Sequence, residues 1–232
     1  ILIYKMALGS KLSDFDKITK TEDRVAKYAE VIDDIFGEKD VDQAVQLLDH
    51  ILQDSFAPVI SREIMNYFAK SFDKLNNDSV LELGNITLEM IATKNMMDEE
   101  DSIIRNEVAN VYHARKMFSD AAKCLTKIKL ENTIRKVTLE EKANTLISIA
   151  ENWFSEDDAV NAEIFINKAT HVILDVEDQD INIRYKYCKA KVFDAKRKFV
   201  FAAQTYYELA SMEGDKIQEE DQLDLLKSAN TC

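Results

Sequence analysis

Three stretches of twenty residues decide the reading of this chain: ANVYHARKMFSDAAKCLTKI (109–128), AENWFSEDDAVNAEIFINKA (150–169) and AKVFDAKRKFVFAAQTYYEL (190–209). They start 41 and then 40 residues apart, and in each the same six places are apolar or small. Those places are Ala109, Tyr112, Phe118, Ala121, Leu125 and Ile128 in the first copy, and Ala150, Trp153, Ala159, Ala162, Ile166 and Ala169 in the second. In the third they are Ala190, Phe193, Phe199, Ala202, Tyr206 and Leu209. An aromatic recurs at 112, 153 and 193, and an alanine at 121, 162 and 202. Spacings of three, four and seven put each half of a copy on one face of a helix. The polar segments Arg115–Met117, Ser155–Asp158 and Lys196–Lys198 between the halves read as turns. Each copy is therefore a helix–turn–helix hairpin whose alanine lets the second helix approach the first. Ser155, three residues before Asp158, reads as the N-cap of a second helix.

Working outward, the same pattern recurs 77 residues earlier as Ile32, Ile35, Val41, Ala44, Leu48 and Ile51, a hairpin expected to bend at Gly37. The intervening 61–95 has helical spacing (Ile64, Phe68, Phe72, Leu81, Leu88, Ile91) but departs from the template, and reads as a divergent hairpin with its joint at Pro58. Residues 222–229 begin one more helix. Self-similarity at this interval is the mark of a solenoid. The expected fold is all-α: a right-handed α-solenoid of helix–turn–helix repeats of the TPR and HEAT kind, with a period of about 40 residues. Residues 1–20 read as an N-terminal extension and 21–232 as the helical-repeat arm.

Composition agrees. Only four glycines and one proline occur in 232 residues, against roughly 12% in average chains, too few to punctuate a β-rich fold. The glycines are isolated, so no phosphate-cradling loop is expected. With 43 acidic and 30 basic side chains the net charge is −13, which repels nucleic acid on average. No segment has the length of a signal peptide or membrane span. Three cysteines (Cys124, Cys188, Cys232), odd in number and without a C-x-x-C pair, argue for a reducing compartment.

The chemistry-bearing residues are scattered. His50, His113 and His171 lack any metal-ligand spacing. Asp178, Asp180 and Asn182 imitate the start of a calcium loop, but Ile183 stands where glycine is needed and Lys189 where a bidentate glutamate is needed. No nucleophile motif occurs. The expectation is a non-enzymatic chain without metal or cofactor. Charge is more informative: 156–180 holds eight acids and one base, whereas 184–198 holds seven bases and one acid. Either neighbouring hairpins neutralise each other, or a basic strip is available to an acidic protein partner. On 181–195 the buried stripe is expected to be Ile181, Tyr185, Cys188, Val192 and Ala195. Lys186, Lys189, Arg197 and Lys198 then form the candidate protein-binding strip.

The wording of 154–169 (FSEDDAVNAEIFINKA), of Tyr185–Cys188 and of 197–210 (RKFVFAAQTYYELA), with shorter matches at 59–64 and 100–128, resembles the subunit-four family of the COP-nine signalosome, scaffold subunits of the PCI class. That resemblance implies a helical arm preceding a winged-helix PCI module, expected after residue 232. It further implies a non-catalytic role in a complex that removes a ubiquitin-like modifier from cullins. The partners implied are other signalosome subunits, including the catalytic metalloprotease subunits, and cullin–RING ligases, in cytoplasm and nucleus. The alternatives are a proteasome-lid or translation-initiation PCI subunit, or a free-standing peptide-binding repeat adaptor.

Overall fold

A computed structural model describes residues 2–15, 17–53, 56–94, 96–131, 136–211 and 219–231. The described residues are all-α, twelve α-helices and one short 3-10 helix, in two compact units, 1–115 and 116–232. In both, helices pack on their nearest and next-nearest neighbours in the chain, the layering of an α-solenoid.

The first unit contains α1 (Leu2–Phe15), α2 (Thr21–Glu38), α3 (Val41–Ile51), α4 (Pro58–Lys70), a 3-10 turn (Ser71–Lys74), α5 (Asn77–Ile91) and α6 (Asp98–Ala114). Its core takes Ile32 and Phe36 from α2, Leu47, Leu48 and Ile51 from α3, Ile64 and Phe68 from α4, and Ile104 and Val108 from α6, all essentially inaccessible. Each such side chain contributes about 1.5–3 kcal/mol on burial. Phe36, Phe68 and Phe72 meet edge to face with ring centroids 5.0–6.0 Å apart. Leu8 and Leu12 of α1 are buried as well. Gly84, in the middle of α5, lies where a Cβ would stand 2.4 Å from Val108 Cγ2, so α5 and α6 touch backbone to side chain.

The second unit contains α7 (Phe118–Thr126), α8 (Leu139–Ser155), α9 (Ala159–Ile173), α10 (Gln179–Ala195), α11 (Phe199–Ala210) and α12 (Glu219–Thr231). α8 lies along α9, α10 packs on both and on α11, and α12 on α11. Ala121, Ala162 and Ala202 are each 0% exposed, as close-approach residues should be.

Local chemistry explains the helix ends. Pro58 occupies the first position of α4, where its missing N–H is not needed. Asp40, Asn76, Thr138, Asp158 and Asp178 cap the following helices, each side chain accepting from backbone N–H groups of the first turn. The cap of α9 is thus Asp158 and not Ser155, which still belongs to α8 and donates to the Glu151 carbonyl at 2.9 Å. The Asp178 carboxylate is likewise engaged as a cap, accepting from Asp180 N at 2.8 Å and Ile181 N at 3.2 Å. Among the described residues four non-glycine positions turn left-handed: Lys39 (φ 57°), Lys116 (φ 60°), Asp157 (φ 61°) and Arg197 (φ 57°). Gly37 is ordinary helix, and the bend sits two residues later at Lys39. After three of these turns the very next N–H closes onto a carbonyl five residues back: Asp40 on Ile35 (3.2 Å), Asp158 on Trp153 (2.9 Å), Lys198 on Phe193 (2.8 Å).

Candidate protein-docking surface

α10 is buried on two sides, a consequence of lying between neighbours. Tyr185, Cys188 and Val192 join the core built with α8 and α9, with Ile181 half-buried against it. Ala190, with half-buried Ile183 and Phe193, joins the core built with α11 and α12. Ala195, expected in the buried stripe, is exposed because the helix ends there and the chain turns outward. Burial pushes the Cys188 thiol up to about 12, with the Glu151 carboxylate adding to the effect and Lys191 and Arg184 opposing it. Trp153 and Phe193 are half-buried beside the turns, so the recurrent aromatic is less enclosed than a gap-filling core residue.

The basic run divides by partner. Arg184 is tied to α8: Nε donates to Glu151 Oε1 at 3.1 Å, Nη2 to Glu151 Oε2 at 2.5 Å and to Ser148 Oγ at 3.0 Å. This fork raises the guanidinium further above its ordinary range. Lys196 pairs with Glu163 on α9. Lys191 Nζ lies 4.5 Å from the Phe154 ring centroid and 5.2 Å from that of Tyr187. Neutralisation between hairpins therefore occurs, among the described residues at Arg184 and Lys196.

The four candidate residues make no ion pair with described residues. Arg197 and Lys198 are exposed, whereas Lys186 and Lys189 are half-buried along the helix. Lys189 and Lys198 share an aromatic: Nζ of each is 5.8 Å from the Phe193 centroid, and Lys189 also lies 5.4 Å from Tyr185. Phe193 in turn meets Phe201 at 5.7 Å. Lys186 is one turn before Lys189, and Arg197 projects from the left-handed turn that seats Lys198. The structure thus brings Lys189 and Lys198 together around Phe193, with Arg197 alongside. The apolar part of this surface was hidden in the sequence, because Phe199 stands at one of the six recurrent places and Phe201 at none of them. They are 43% and 58% exposed, next to Val200 at 79%. The result is an aromatic and aliphatic strip rimmed by unpaired cations, the composition of a protein interface.

Among the described residues no three His, Cys, Asp or Glu side chains converge to hold an ion, and no helix is long and apolar enough to cross a membrane. His50 is engaged with Tyr28 Oη at 3.0 Å, and His113 and His171 are exposed on α6 and α9.

Comparison with known proteins agrees with the helical reading. The chain is 33% identical over 231 residues to COP9 signalosome complex subunit 4 of Arabidopsis thaliana, covering 97% of this chain and 58% of that protein. It is 31% identical to the subunit of the same name from Drosophila melanogaster, covering 97% of this chain and 56% of the relative. To that of Dictyostelium discoideum it is 32% identical over 202 residues, covering 87% and 50%. The chain therefore spans between half and three-fifths of the length of these curated relatives. The family described as PSMD12/CSN4, N-terminal, matches residues 9–220, and on that match this chain belongs to it.

Proposed function

We propose that this chain is the helical arm of a non-catalytic PCI-class scaffold subunit of the COP9 signalosome, working in the cytoplasm and nucleus. There the arm contacts neighbouring subunits, among them the metalloprotease subunits, and holds cullin–RING ligases for deneddylation. The observation that carries this reading is the family match over 9–220, together with relatives that all bear the subunit-four name. The docking element is the strip Lys189, Phe193, Arg197, Lys198 and Phe201, with Lys186 at its edge, which suits an acidic partner surface. Cation–aromatic seating holds Lys189 and Lys198 in place before binding, which lowers the ordering cost of association.

The test is the association rate of a Lys189/Arg197/Lys198→Glu variant with a cullin–RING ligase at low and at physiological salt. The expected result is a slower on-rate whose deficit shrinks as salt rises. An unchanged rate refutes the strip as the docking element. A second reading, a proteasome-lid subunit, is favoured by the same family match, since that family also covers the lid paralogue. Co-purification from cells separates the two assemblies.

A further inference from the structure

The first unit carries a second surface of opposite character, between α4 and α6. A cleft of about 470 Å³ is walled by Val59, Arg62 and Asn66 of α4 and floored by the start of α6. Glu100 lines it, is 0% exposed, and has neither carboxylate oxygen in a hydrogen bond of normal geometry. Its nearest cation is Arg62, whose Nε is 3.8 Å from Oε1, but that guanidinium is turned to Glu99, donating from Nη2 to Oε2 at 3.3 Å. Glu63 also borders the cleft, so its lining holds three carboxylates and one guanidinium. The rim is apolar and open to solvent: Val59 is 70% and Met96 56% exposed.

Position in the first turn of α6 explains why a carboxylate is tolerated there, since the helix N-terminus favours negative charge. It does not explain two buried oxygens that have polar neighbours in Arg62 and Asn66 but no hydrogen bond of normal geometry, a condition natural structures avoid. Burial drives the carboxyl above its ordinary range, and the opposing pulls of its own backbone amide, Arg62 and Asn66 do not restore it.

We infer that the cleft between α4 and α6 receives an arginine side chain from a partner protein segment, its guanidinium on Glu100 and its methylenes along Val59 and Met96. Two neighbouring oxygens of one carboxylate match the planar fork of a guanidinium better than the point charge of an ammonium. The exposed apolar rim suits the aliphatic stem of arginine and a flanking apolar residue. The excess of carboxylates supplies the charge complement. This surface is separate from the basic strip of the second unit and does not depend on it.

The experiment uses the whole chain, isotopically labelled, and two capped hexapeptides alternating leucine with either arginine or its neutral isostere citrulline. Amide shifts of Val59, Arg62, Asn66 and Met96 are followed on titration. The arginine peptide should move these signals saturably, with affinity about tenfold weaker for the citrulline peptide and for Glu100→Gln, the ratio that about 1.4 kcal/mol of a charge-assisted pair corresponds to. Val59→Gln, at an exposed position, should weaken binding to a smaller degree. It keeps the test decisive if Glu100→Gln does not fold. Equal binding of the two peptides, shifts confined to the second unit, or no shifts at all would each overturn the inference.

Discussion

Replacing Gly84 by alanine sets two known effects against each other at one atom. In a helix interior alanine is favoured over glycine by about 0.8–1.0 kcal/mol, partly because it restricts the unfolded chain. At Gly84, however, the new methyl would stand 2.4 Å from Val108 Cγ2, with Phe72 Cε1 at 3.5 Å and Ile104 Cγ2 at 3.8 Å. Val108 is fully buried and β-branched, so it cannot swing aside in its helix without leaving its preferred rotamer. The helices must separate or the valine must strain, and overpacking of this kind costs about 1–3 kcal/mol. The net expectation is a loss of about 1 kcal/mol, or a melting temperature lower by about 2–4 °C for a chain of this size. The internal control is Gly37→Ala. There the Cβ meets nothing within 4 Å, so the same substitution should raise the melting temperature. Thermal unfolding followed by circular dichroism reads both. Val108→Ala in the Gly84→Ala background should cost less than it does in the parent, because it removes the clashing methyl. If Gly84→Ala stabilises the chain as Gly37→Ala does, the close packing of α5 on α6 is refuted.

Ala162→Leu should cost about 1–3 kcal/mol, since the alanine is fully buried where α8 meets α9, while Val160→Leu, 68% exposed on the same helix, should leave the melting temperature unchanged. Glu100 has a folded-state pKa above its ordinary 4.5, so its cost to stability is absent below that value and grows as pH rises, because the unfolded chain gives up the proton first. Glu100→Gln should therefore melt at the same temperature as the parent near pH 4 and above it near pH 7; a gap that closes with rising pH would refute the sign. With its thiol near 12, Cys188 should resist iodoacetamide at about pH 8, where roughly one molecule in ten thousand carries the thiolate. Half-buried Cys124 should be alkylated before Cys188, as peptide mapping would show.

The helical register was legible because it rests on size and polarity alone. The alanines at 121, 162 and 202 had to be buried whatever the details of the turns, and Arg115–Met117, 155–158 and 196–198 had to be connectors. What sequence could not display was the choice among adjacent polar residues. Ser155 and Asp158 are both good caps, and only the left-handed turn at Asp157 decides for the second. Gly37 was the natural candidate for a bend, yet the hydrogen bonds of the helix end place Lys39 there instead. The stripe on α10 was read as one face because periodicity describes a helix against a single partner, whereas this one has cores on both sides. The Lys186, Lys189, Arg197 and Lys198 strip was visible as charge, but the exposure of Phe201 and Val200 beside it was not. The Glu100 cleft was invisible for a further reason. Its walls come from residues some forty positions apart, and an acid in the first turn of a helix looks ordinary until its surroundings are known.

The near-neighbour packing within the first unit has a consequence for synthesis. α2 meets α3 and α4, α3 meets α5, and α6 meets α4 and α5, so no helix of this unit waits for a distant strand or a returning terminus. By the time Arg115 has left the ribosome, every residue that builds the core around Phe36, Phe68 and Phe72 has been made. At about 5–20 residues per second, the seconds needed to translate 116–232 are long compared with the folding time of a helical unit dominated by local contacts. The nascent chain can therefore hide its aromatic cluster before α8 emerges, leaving chaperones little apolar surface to hold.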